Sequence, residues 1–231
     1  MIYFAIIISL MIINLSFYIY YFYKAKKRTV LIFKMATSFW FVLLGITATF
    51  LNKDRNNNYA LMMIMGLISG FLGDAMLGLR GVFPENKKIY FILGLLLFFI
   101  GHIFYSSVII TLGTYKLYLY LFLGLILTII TIIVLELTKV QLGKLRVVNY
   151  IYLFVSACLL SITTLNFLEI QNIGSIITFV GVVFFVTSDF ILCYLYFKKM
   201  DFKIYKRLKL INILTYYIGQ VLLALSIYFI I

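Results

Sequence analysis

The sequence predicts an all-α, polytopic integral membrane bundle of eight transmembrane helices, and three observations carry the prediction. Of the 231 residues, 65% are apolar and only 12% are charged, against about 45–50% and about 25% in a soluble globular domain. The apolar residues gather into eight runs, each able to cross about 30 Å of hydrocarbon with about 20 residues. The basic residues lie mostly in the short gaps between those runs, which is the pattern of membrane topology rather than of a nucleic-acid-binding face.

In chain order the runs are 2–23, 30–51, 59–79, 89–112, 117–138, 147–167, 173–197 and 210–231. The first has no cation ahead of it and no small-residue cleavage pattern behind it, so it is expected to stay in the mature protein. The second carries Lys34 within it, the third reads ISGFLGDAML, and the fourth reads LLFFIGHIFY. The sixth holds Cys158, while the seventh reads VFFVTSDFIL and holds Cys193. Neither cysteine has metal-ligating neighbours in the sequence, so both are expected to be inert core thiols. The eighth run reads LTYYIGQVLL at its centre.

The connectors set the direction of threading. Loops one, three, five and seven hold sixteen of the twenty Lys and Arg residues, while loops two, four and six hold only Lys53, Arg55 and Lys116. By the positive-inside rule the odd loops face the cytoplasm and both termini lie outside it. The connectors are too short for a folded domain, so residues 1–231 form one membrane domain and any chemistry belongs to the helices.

An internal doubling is expected. In spans three and seven a small residue precedes an aspartate, and in spans four and eight two aromatics precede Ile-Gly and one polar residue. Asp74 then aligns with Asp189 at an offset of 115, and His102 with Gln220 at an offset of 118. Residues 1–112 and 117–231 would be two four-helix units in parallel orientation, related by an axis along the membrane normal.

Ionisable groups within a span are costly and mark function. Asp54, Glu85, Glu169 and Asp201 fall in the predicted loops and Glu136 near a span end, which leaves Asp74 and Asp189. From the cytoplasmic ends of their spans Asp74 lies roughly 9 Å deep, Asp189 roughly 13 Å, Gln220 roughly 15 Å and His102 roughly 20 Å. The four are therefore expected to share one polar layer, in a cavity opening to the cytoplasmic leaflet, with Tyr105, Tyr216, Tyr217 and Ser188 near it. Gly70 and Gly73 should leave a shallow groove beside Asp74 for a helix or a ligand. One histidine and two aspartates without ligand spacing do not suggest a metal, and there is no phosphate-binding loop or Ser-His-Asp elbow motif. No metal and no cofactor is expected.

The motifs GLISGFLGDAML, GLLLFFIGHIFY, GVVFFVTSDFIL and TYYIGQVLL, in this order on eight spans, resemble the YhhN/TMEM86 family, whose characterised members are lysoplasmalogenases. FKMATSF at 33–39 is similar to the family's Lys-Pro-Leu-Thr segment, with Met35 in the place of proline and with Lys34 and Thr37 kept. Gly101-His102 resembles the family's Ala-His, and Tyr105 matches its tyrosine three residues later. Tyr217 and Gln220 resemble the Tyr-x-x-Ala-Gln stretch, and Tyr150 after Val147 is a looser likeness in span six. The resemblance implies hydrolysis of the vinyl ether bond of a lysoplasmalogen to a fatty aldehyde and a glycerophospho-base.

That reaction begins with a proton delivered to the vinyl carbon remote from oxygen, and water captures the oxocarbenium-like cation. Two carboxyls in unlike surroundings can divide this work, one as acid and one as the ionised group that steadies the cation, as in glycosidases. The candidates are Asp74 and Asp189, with His102 and Gln220 placing water or tuning the proton and Tyr217 or Tyr105 donating to oxygen. Lys34 and Arg80 are candidates for the lipid phosphate, snorkelling to the interface, with Tyr150 also on the substrate. The expected partners are a lysophospholipid substrate and membrane lipids, with no nucleic acid, in what is expected to be a bacterial cytoplasmic membrane. Two other classes fit the same residues: a proton-coupled transporter of a small or lipid-like substrate, and a non-catalytic lipid-binding or assembly protein.

Overall fold

The computed structural model describes residues 2–24, 26–52 and 57–230. Lys53 and Arg55, two of the three cations assigned to the even loops, lie outside the described residues, as does Asp54. Among the described residues every regular element is helical, and eight helices are long and apolar enough to cross a membrane. They are α1 (Ile2–Tyr23), α2 (Lys27–Leu51), α3 (Asn57–Val82), α4 (Lys87–Ile109), α5 (Leu117–Leu137), α6 (Arg146–Ile170), α7 (Ile173–Phe197) and α8 (Phe202–Phe229), with short 3₁₀ turns before α4, after α4 and before α6. The chain is a polytopic helical membrane protein.

The predicted spans and the helices coincide at the apolar centres and part at the ends. Hydropathy measures the hydrocarbon slab, whereas a helix continues until a backbone signal stops it. The largest gap is at α8, which begins at Phe202, so Lys203, Lys206, Arg207 and Lys209 form its first turns rather than a loop. Glu169 likewise falls in the last turn of α6, where Oε2 accepts the Thr114 amide at 3.1 Å and Oε1 accepts the Thr114 hydroxyl. Between α6 and α7 the reversal is tight. Gln171 closes α6 in a left-handed conformation (φ 51°), and Asn172 caps α7 by accepting the Ser175 amide at 2.7 Å.

The helices form two compact units. The first holds α1, α2, α3, α4 as far as Tyr105, and the end of α8 from Ala224. There the amide of Asn52, just past α2, donates to the orphan carbonyls of Ile227 (2.9 Å) and Ile230 (3.3 Å), and the hydroxyls of Tyr59 and Ser226 are 3.1 Å apart. Phe4 packs edge-on against Tyr228. The second unit runs from Ser106 to Leu223. Asn166 of α6 organises one part of it, accepting from the Tyr120 hydroxyl at 3.0 Å and donating to the Ile109 carbonyl at 2.6 Å. Cys158 and Cys193 are free thiols, both buried in this unit.

Candidate functional site

Asp74, in the first unit, is 2% exposed on α3. Its Oδ1 lies 2.8 Å from the Lys34 ammonium, and its Oδ2 accepts the Ser38 hydroxyl at 2.6 Å. The ammonium also donates to the Asp74 backbone carbonyl at 3.1 Å. Lys34 and Ser38 are four residues apart on α2, hence on one face, and both are buried. The ion pair is enclosed, with side-chain exposures of 11% and 3%. Lys34 was expected to snorkel to the interface; instead its charge is turned to Asp74. Gly78, one turn beyond Asp74, makes room for this: a Cβ there would meet Leu31 and, at 3.9 Å, the Lys34 stem.

The groove expected beside Gly73 is filled by α4. A Cβ on Gly73 would come within 2.9 Å of the Phe98 ring. One turn further on, His102 is fully buried and its Nδ1 lies 2.8 Å from the Phe98 carbonyl. A carbonyl only accepts, so Nδ1 is the donor in this bond. Gly101 meets Gly66 closely, since a Cβ on it would stand 3.4 Å from the Gly66 carbonyl oxygen. The Tyr105 ring fills the space that a Cβ on Gly66 would need, eight residues and hence about 12 Å along α3 from Asp74. Arg80 sits over the Phe91 ring at 5.4 Å.

Asp189, in the second unit, is 6% exposed on α7. Its Oδ2 accepts the Ser156 hydroxyl at 3.4 Å, and the Tyr152 hydroxyl faces the same carboxyl. Tyr152 and Ser156 are again four residues apart, on α6, and both are buried. Next to the aspartate, the Ser188 carbonyl accepts the Asn212 amide at 2.8 Å, and Lys209 donates to the Asn212 side-chain oxygen at 3.2 Å. On α8, Gln220 is fully buried and Tyr217 is 2% exposed, its ring 5.0 Å from Tyr216. Gly219 makes room for α7, because a Cβ there would stand 2.9 Å from both the Gly181 oxygen and the Phe185 nitrogen.

Tyr150 lies elsewhere in this unit. Its hydroxyl accepts from Arg146 Nε at 2.8 Å and donates to Glu136 at 3.0 Å, in an exposed ion-pair cluster. The tyrosine that meets the aspartate is Tyr152, which the sequence reading missed together with Ser38, Ser156 and Asn212. A signal for three of these was present: Lys34 to Tyr152 and Ser38 to Ser156 share the offset of 118 that relates His102 to Gln220.

The structure thus gathers Lys34 and Ser38 about Asp74 in one unit, and Tyr152 and Ser156 about Asp189 in the other. Among the described residues no three His, Cys, Asp or Glu side chains are grouped as a metal ion would need. The first cluster is a matched charge pair with both carboxylate oxygens engaged. The second is a carboxyl among hydroxyls, a setting that can hold or pass a proton.

Neither the search of curated proteins nor that of solved structures gave a match. The sequence model of the YhhN family matches residues 29–227, from the first turn of α2 to the last turns of α8, and so takes in both aspartate clusters. The chain belongs to the YhhN family.

Proposed function

We propose that this chain is a lysoplasmalogenase-like ether-bond hydrolase, cleaving the vinyl ether of a lysoplasmalogen to a fatty aldehyde and a glycerophospho-base. The observation that carries the reading is the unlike partnering of two buried aspartates in a member of the YhhN family, one with an ammonium and one with hydroxyls. Asp189 is the proton donor, bonded by Ser156 and faced by the Tyr152 hydroxyl. It protonates the vinyl carbon remote from oxygen, and the carboxylate left behind steadies the oxocarbenium-like cation and takes a proton from the attacking water. The hemiacetal then collapses to aldehyde and alcohol, and the carboxyl is again protonated. Asp74, matched to Lys34 in the first unit, is a fixed charge rather than a proton carrier.

The test is purified protein with a panel of lysoplasmalogens and ordinary acyl lysophospholipids, scored for aldehyde against fatty acid. Aldehyde from the vinyl ethers alone is the expected result. Fatty acid release would make the chain a different lipase. No product, together with proton-dependent uptake into vesicles, would support the transporter reading instead.

A further inference from the structure

Within the second unit, α6 packs against both α5 and α7. A groove of about 290 Å³ runs along it, lined by Leu127, Ile130, Thr131 and Val134 of α5, by Leu153, Ser156, Ala157 and Leu160 of α6, and by Val183, Val186, Thr187 and Phe190 of α7. Each helix contributes the same spacing, i, i+3, i+4 and i+7, so three parallel stripes run for about two turns, roughly 10 Å. Leu153, Ser156 and Ala157 of the α6 wall are buried, while Ile130, Val134, Val183 and Thr187 are exposed at the rims. In a membrane-spanning unit that rim meets lipid hydrocarbon.

One polar atom breaks the buried apolar wall. Ser156 is 2% exposed, and its hydroxyl is the one that donates to Asp189. The hydroxyls of Thr131 and Thr187 are turned back to their own helices, bonding the Leu127 and Val183 carbonyls at 2.8 and 2.7 Å. The groove is therefore an apolar trough open to the bilayer, with a hydroxyl in its wall that leads to the buried carboxyl.

We propose that this trough is the binding site for the single hydrocarbon chain of the lysophospholipid, laid along α6 with the chain's polar end toward Ser156 and Asp189. The proposal rests on the lipid-hydrolase reading for the identity of the ligand. The trough's volume is near the lower end of small-molecule pockets, about 300–1,000 Å³, which suits a stretch of one hydrocarbon chain. The site reads chain length, while head-group contacts lie beyond it.

The test reads binding without turnover. The full chain in detergent is photolysed with a lysophosphatidylcholine carrying a diazirine in the half of its hydrocarbon chain nearer the glycerol, and labelled peptides are mapped by mass spectrometry. Labelling should concentrate on the α5 and α7 rims around Ile130 and Val183, saturate, and be competed by unlabelled long-chain but not short-chain lysophosphatidylcholine. Ala157→Phe places a ring in the trough. A chain kept out of the trough returns to detergent hydrocarbon rather than to water, so the saturable part of long-chain labelling should be lost and the preference should move toward shorter chains.

Labelling spread over all eight helices without saturation, or unchanged by Ala157→Phe in protein that remains folded, overturns the site. Should the variant fail to fold, the competition series on the unaltered protein still decides. Saturable labelling of the trough in protein that releases no aldehyde keeps the chain site and rejects the hydrolase. Aldehyde release with labelling elsewhere does the opposite.

Discussion

Lys34 and Tyr152 hold the same position in the two units: each stands one turn before the serine that bonds the aspartate of its own unit, and each turns its polar end to that aspartate. The correspondence extends to packing. Gly101 approaches the Gly66 carbonyl in one unit as Gly219 approaches the Gly181 carbonyl in the other, and all these pairs keep offsets of 115 on α3 and α7 and 118 elsewhere. We propose internal duplication as the reason. In an experimental structure, the Cα atoms of Lys34, Ser38, Asp74 and Gly101 should superpose on those of Tyr152, Ser156, Asp189 and Gly219 as one rigid set; a fit that works for the serines but scatters the glycines would reject it.

The exchange of lysine for tyrosine makes the clusters energetically different. Removing one partner of a buried ion pair strands the other charge at about 3–5 kcal/mol, while losing a hydrogen bond at a buried site costs about 1–3 kcal/mol. Lys34→Met should therefore lower stability in detergent well beyond Tyr152→Phe, and Lys34→Met combined with Asp74→Asn should recover much of the loss. Thermal unfolding followed by fluorescence measures all three; a double variant weaker than the single would mean that the pair is not the cause.

Much of the fold was legible because apolar runs report directly on hydrocarbon thickness, and the two aspartates stood out because a charge within such a run is rare. The partners were not legible. Lys34 and Asp74 are joined by packing of α2 on α3 across forty residues of sequence, which no local pattern specifies, and Ser38 and Ser156 are unremarkable residues until an aspartate is seen opposite. Tyr150 was preferred to Tyr152 because it matched a loose motif. Its helical phase carries it instead to Arg146, one turn away, and to Glu136. The start of α8 was missed because lysines and arginines lower hydropathy without lowering helix propensity.

The glycine contacts give a test of packing that is independent of chemistry. At Gly219 a methyl would meet backbone atoms at 2.9 Å, which cannot yield without moving α7 from α8; at Gly101 the nearest atoms are at 3.4 and 3.5 Å, ordinary contact. Gly219→Ala should cost about 1–3 kcal/mol, and Gly101→Ala should be nearly neutral. Size-exclusion profiles and melting temperatures of the two proteins compare them directly, and equal behaviour would contradict the close approach at Gly219.

Threading direction is open to chemical labelling, helped by the burial of both native thiols. Lys199→Cys, between α7 and α8, should resist a membrane-impermeant maleimide added to intact cells, and Lys116→Cys, before α5, should react. Reversal of the two would invert the topology expected from the loop cations.

Proton transfer to carbon leaves a mark in the product, and its absence excludes that step. If Asp189 protonates the vinyl carbon, then in deuterated water the carboxyl carries deuterium, and the released aldehyde must bear one deuterium on the carbon beside its carbonyl. Where that transfer limits the rate, turnover also slows. A general acid contributes about 10²- to 10⁴-fold, so Asp189→Asn, which keeps hydrogen bonding but holds no acidic proton, should lower kcat by that amount while long-chain lysolipid still labels the α5 and α7 rims. Asp74→Asn should abolish aldehyde release as well, but it strands the Lys34 charge and should lower the melting temperature, which Asp189→Asn should change much less. Mass spectrometry of the aldehyde and melting curves of the two variants separate the roles: unlabelled aldehyde rejects protonation at carbon, and less than tenfold loss in Asp189→Asn removes that residue from the chemistry.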